Sequence, residues 1–113
     1  MVKDQAVLAA AGPAARQLYD ELLAALRPLG PFREEFKKTS IHLVRRSAFA
    51  GVHPRKQHLI LTIKAEKPIR SARVAKAEQV SKSRWRLDVK LAAGAEIDAE
   101  LLGWLRRAYE ICE

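Results

Sequence analysis

Between Phe32 and Ile63, apolar side chains return on every second position: Phe32 and Phe36, then Ile41 and Leu43, then Leu59, Leu61 and Ile63. Successive side chains leave a strand on opposite faces, so this period is that of strands with one face buried. FREEFKK, SIHLVRR and QHLILTIK are therefore expected to run as three consecutive antiparallel strands, and the rest of the chain has to cover what they bury. The same alternation is clearest in RWRLDVKL, where Trp85, Leu87, Val89 and Leu91 interleave with Arg84, Arg86, Asp88 and Lys90. Between these blocks the pattern weakens. Phe49 and Ala50 are expected as a short strand, Thr39-Ser40 and Gly51 to Lys56 as turns, and Arg73 to Ala77 as one short strand inside a connection. Pro54 cannot donate to a ladder, which places it at a loop tip.

Two helical stripes flank the strands. Pro13 suits the first position of a helix running to about Arg27, with Leu18, Leu22, Ala25, Leu26 and Leu29 on one face; Pro28 and Gly30-Pro31 end it. Near the C-terminus, Asp98 is placed as an N-cap, Ile97 and Leu102 as a hydrophobic staple, and Leu101, Leu105, Ala108 and Cys112 repeat at helical spacing. Residues 3 to 11 have helix-forming composition and are expected as a short, frayed helix. The expectation is a single α+β domain over residues 1–113 in two layers, an antiparallel sheet of about five strands covered on one face by N- and C-terminal helices. The other face would then present His42, Val44, Arg46, His58, Ile60, Thr62, Lys64, Arg84, Arg86 and Lys90.

A chain of 113 residues, 49% of them hydrophobic, can build one core without staples. Its single cysteine, Cys112, allows no internal disulfide, and no apolar run reaches the ~18 residues of a membrane span. With no signal peptide before the first helix, a cytoplasmic location is expected. The net charge of +8 is unevenly spread: residues 31 to 95 hold sixteen basic and five acidic side chains, residues 96 to 113 two and five. A net +11 in the sheet region favours an anionic partner through counterion release and steering, although a basic surface also serves solubility.

Chemistry-bearing motifs are sparse. No glycine-rich phosphate loop, nucleophile elbow or paired acids appear in the strand meander, where Glu34 and Glu35 are adjacent and point to opposite faces. His42, His53 and His58 lack cysteines or carboxylates at ligand spacing and are expected as surface histidines. No catalytic residue, metal or cofactor is therefore expected. Lys38, at a strand start beside Thr39, is placed to hold an anion as a point charge. Arg46, Lys64, Arg84 and Arg86 are expected to share the open face and to bind several phosphates. No aromatic ring is expected on that face, so contacts to phosphates rather than stacked bases would follow.

The combination LYDELLAALRPLGP, KKTSIHLVRRSAFAGVHP and RWRLDVKL, leading into EIDAELLGWLRRAYE, resembles the bacterial family known as domain of unknown function 5655. The resemblance covers residues 16 to 111. It is carried by Lys38-Thr39, Arg45-Arg46 with Phe49-Ala50, and the closing Asp98, Glu100, Trp104, Leu105, Arg106 and Tyr109. More loosely, the order of strands and closing helix looks like the YjbR-like proteins. The first resemblance implies the architecture and supplies no reaction. Relatives often carry a histidine near the start of the last strand, where this chain has Ser83, Arg84 and Trp85. The leading expectation is a small non-enzymatic domain binding nucleic acid or another polyanion, with Lys38, Arg46, Lys64, Arg84 and Arg86 positioning phosphates. The alternative is a protein-interaction or small-ligand module, dimeric in one form, centred on Val44, Ile60 and Thr62.

Overall fold

A computed structural model describes residues 12–112. The expected helix over residues 3 to 11 lies outside them. Helix α1 (Pro13–Leu26) starts at a proline and passes into a 3-10 turn, Arg27–Leu29. Six strands follow: β1 (Arg33–Phe36), β2 (Ile41–Val44), β3 (Ala48–Pro54), β4 (Leu59–Ala65), β5 (Val74–Ser81) and β6 (Arg84–Leu91). Helix α2 (Ala99–Ile111) closes the chain, with the Asp98 carboxylate accepting from the Leu101 amide at 3.0 Å as an N-cap. The chain is thus α+β, with one antiparallel six-stranded sheet in the order β1-β2-β3-β4-β6-β5.

The core follows the period-two pattern. Along β4, Leu59, Leu61, Ile63 and Ala65 are buried while Ile60, Thr62 and Lys64 are half-buried. The buried set joins Leu87, Val89 and Leu91 of β6, Leu18, Leu22 and Leu26 of α1, and Leu101, Leu105 and Ala108 of α2 in one hydrophobic cluster. Each large apolar side chain removed from water there contributes about 1.5–3 kcal/mol. Helix α2 lies against β3 and β4, and α1 touches β4. Ile97 and Leu102, on either side of the Asp98 cap, are both partly buried against this cluster.

The six strands are close to the expected number of about five, and two segments differ from expectation. The segment from Gly51, expected as a turn, continues β3 as far as Pro54, and the turn is confined to the residues after it. Gly51 and Pro54 carry loop signals on their own, but here β2 and β4 supply ladders on both sides: Gly51 pairs with His42 and with Thr62. Tertiary pairing overrides the local signal. The strand near Arg73 to Ala77 likewise starts one residue later and runs on to Ser81.

A bulge shapes the start of β3. Leu43 pairs with Ala50 and Val44 with Ala48, which leaves Phe49 as the extra residue. Its ring is fully buried, edge-on to Phe32 and to Tyr109 with centroids 5.7 and 5.3 Å away. Tyr109 then locks α2 to the first turn of the chain. Its hydroxyl donates to the Pro31 carbonyl at 2.8 Å, and the Arg45 guanidinium lies 4.1 Å over its ring while donating to the Tyr109 carbonyl at 3.0 Å. Gly30, at φ 135°, makes the bend that lets the hydroxyl approach. Among the described residues, no buried side-chain nitrogen or oxygen lacks a hydrogen-bond partner.

Candidate anion-binding groove

The positions that alternate with the core residues line a groove of about 580 Å³ across β2, β3, β4 and β6. Strand register assembles it. His42 of β2, Gly51 of β3, Thr62 of β4 and Asp88 of β6 stand in one row across the sheet. His53 and Ile60 form the row on one side; Lys64 and Arg86 face each other on the other. Arg55 reaches in from the turn after β3, and Val80 contributes from β5.

Gly51 is the floor. A Cβ built on it would stand 3.7 Å from His53 Nε2, 3.8 Å from Thr62 Cβ and 4.0 Å from His42 Cδ2. Both imidazoles therefore converge on the space above this one glycine. The Thr62 hydroxyl donates to Asp88 Oδ1 at 3.3 Å, which leaves its lone pairs for an incoming donor. Arg86 is held by Glu78 of β5 in an ion pair. Arg55 and Lys64 take part in no salt bridge among the described residues.

Burial pushes the His53 pKa below the usual imidazole value, and Arg55 pushes it further down; Asp88 opposes this, while His42 and Arg86 add to it. His58, in the turn before β4, is also lowered, first by burial and then by Lys90 and Arg55. Around His53 the cationic side chains outnumber the one carboxylate, Asp88, that lines the groove among the described residues. An anion placed over Gly51 would relieve that repulsion. Among the described residues, no three metal-ligating side chains converge on a point that could hold a metal ion.

The five residues singled out from the sequence separate into two sets. Lys64 and Arg86 line the groove. Lys38 is exposed in the turn between β1 and β2, Arg46 is exposed in the bend between β2 and β3, and Arg84 opens β6 at the far end of the β5–β6 hairpin, bonded to the Ser83 carbonyl. Of the apolar centre expected for the alternative reading, Ile60 and Thr62 line the groove, whereas Val44 is buried outside the main cluster. Sequence reasoning missed Gly51, His53, Arg55, Asp88 and Val80 as groove residues. The signal for the first two was present: Ala50 and Val52 continue a period-two pattern through Gly51 and His53.

The family model described as Domain of unknown function (DUF5655) matches residues 4–111. The chain belongs to this family. No curated protein and no solved structure matches it. For this DUF5655 domain, the match spans nearly the whole chain.

Proposed function

We propose that this DUF5655 chain is a small non-enzymatic binding domain that holds an anionic partner, nucleic-acid backbone first among them, on the basic face of its sheet. In this reading the two helices close one face and leave the other for the ligand. The observation that carries it is the convergence of His42, His53, Arg55, Lys64 and Arg86 on one groove that a single carboxylate lines. Apart from the two imidazoles, no exposed ring among the described residues lines the groove to stack a base, so in this reading the contacts go to phosphates and binding is strong in charge and weak in sequence preference.

The test is a titration of the protein with labelled single- and double-stranded DNA and RNA at low and moderate salt. Binding that weakens steeply with salt, and that a Lys64→Ala/Arg86→Ala variant reduces equally for all sequences, is the expected result. Absence of binding at low salt, where non-specific contacts are strongest, would overturn it. A second reading rests on the groove's size. At about 580 Å³ it falls within the range of small-molecule sites, about 300–1,000 Å³. A single phosphorylated ligand would fill it. Calorimetry with inorganic pyrophosphate separates the two: binding of pyrophosphate without oligonucleotide binding selects the small ligand.

A further inference from the structure

Among the described residues, strand β5 is an edge of the sheet, paired with β6 on one side only. Such an edge offers a row of backbone donors and acceptors to another strand. Two irregularities, at Ala75 and at Val80, are the residues skipped where the register with β6 shifts; between them Lys76, Ala77, Glu78 and Gln79 pair regularly. Ala75, Lys76, Ala77, Gln79, Val80 and Ser81 are exposed, and Val80, at 54%, is the exposed large apolar side chain among the described residues.

The sequence of this edge, VAKAEQV, is complementary to itself when reversed. We infer that β5 pairs with β5 of a second copy of this chain, antiparallel and about a two-fold axis at Ala77, to join two sheets into one. In that register Lys76 of each copy stands opposite Glu78 of the other, giving two cross-strand ion pairs, and Ala77 faces Ala77 where a small side chain permits the approach. Charge also rejects the neighbouring registers. A slip of two residues sets Lys76 against Lys76 or Glu78 against Glu78, and a slip of one turns each strand's side chains to the wrong face. A lysine on an edge ordinarily discourages pairing. Here the glutamate two residues along is its mate.

The seam also touches the groove. Lys76 stands in the Asp88 row and Glu78 in the Arg86 row. Glu78 already holds Arg86. A second cation from the neighbouring copy would loosen that hold and free Arg86 for the groove. Val80, which lines the groove, falls at the end of the seam.

The experiment is sedimentation velocity on the ligand-free protein over a wide concentration range, with Lys76→Glu, Glu78→Lys and the double exchange Lys76→Glu/Glu78→Lys. A monomer–dimer equilibrium is expected that each single reversal weakens by at least about tenfold and that the double exchange restores, because the exchange rebuilds both pairs with their signs inverted. The positions are exposed or half-buried, and far-UV circular dichroism checks that each variant is folded. A wild-type chain that stays monomeric at the highest concentration overturns the inference. So does a dimer that survives both single reversals, since it must then use another surface. The measurement involves no anion, so its outcome is separate from that of the oligonucleotide titration.

Discussion

The two faces of β4 are built from adjacent residues and differ in nearly every physical respect. Leu59, Leu61 and Ile63 are fully buried against the cluster that the helices join, whereas Ile60, Thr62 and Lys64 line a groove with two histidines and two arginines. The arginines away from the groove make the same point. Arg45 is spent on Tyr109, and Arg73 on Asp98, Glu100 and the Glu96 carbonyl, so each ties loop to helix. Arg55 and Lys64 tie nothing together by salt bridge among the described residues. The third groove cation, Arg86, is held by Glu78 at the surface and ties no helix to the sheet. Stability and binding should therefore respond to different substitutions.

The largest effect should come from the buried side of β4. Leu61→Ala removes a fully buried side chain at the centre of the sheet and is expected to cost about 2–5 kcal/mol in urea unfolding. Anion affinity of the molecules that remain folded should be unchanged. A binding loss in that folded fraction would show that the two faces are coupled. Next is Gly30→Ala. Its φ of 135° disfavours any side chain, and the new Cβ would stand 2.5 Å from the Tyr109 hydroxyl, displacing the bond to Pro31. The expected cost is about 1–3 kcal/mol, read in the same unfolding experiment. Full stability in this variant would mean that the contact between α2 and the first turn is dispensable.

On the groove side, Lys64→Ala/Arg86→Ala should leave unfolding within about 0.5 kcal/mol of wild type, since both residues are partly exposed and Arg86 has only a surface ion pair. It should lower oligonucleotide affinity at all sequences and reduce the salt slope by about 2. A matching Lys38→Ala/Arg84→Ala variant, outside the groove, should do much less. Gly51→Ala sharpens the comparison further. The added methyl meets its neighbours at ordinary contact distances, so stability should hold or rise by up to about 1 kcal/mol, the usual gain of alanine over glycine within a strand. The same methyl fills the groove floor. Affinity for a small anion should therefore fall while stability does not, and a parallel loss of both would refute the division of labour between faces.

How far this was legible in the sequence can be judged residue by residue. The alternation in QHLILTIK and RWRLDVKL identified the buried side of β4 and β6, and the groove lies on their other side, so Lys64 and Arg86 were accessible to that argument. Asp98 as a cap, with Leu101, Leu105 and Ala108 at helical spacing after it, announced α2. The start of the helical stripe at Leu18 and Leu22 was equally plain. What failed were segments whose state depends on neighbours. Gly51 to Pro54 carries a glycine and a proline, and only the ladders to His42 and Thr62 make it a strand. Arg46 looked like a continuation of β2, but the strand ends at Val44 and Arg46 lies in the bend before β3, where Phe49 is the bulged residue. Local propensity cannot see either event.

The smallest expected effect is a pH dependence, and it isolates His53. In the ligand-free fold burial, Arg55, His42 and Arg86 hold its pKa below the ordinary 6.5, against the pull of Asp88. Between the folded and unfolded values the unfolded chain then binds more protons, so this residue's contribution to stability is complete above about pH 6.5 and is lost as pH falls toward the folded pKa. A bound phosphodiester reverses the preference, because its negative charge favours the imidazolium. Binding then takes up a proton, and affinity should rise as pH is lowered from about 8 to about 5.5, by less than about tenfold per pH unit for a single group. A phosphodiester keeps its own charge across this range, so the change belongs to the protein. His53→Gln should flatten the profile while His58→Gln, outside the groove, should leave it sloped. If the slope survives His53→Gln, the proton is taken up elsewhere, with His42 on the opposite side of Gly51 the next group to replace, and His53 serves the groove by its shape alone.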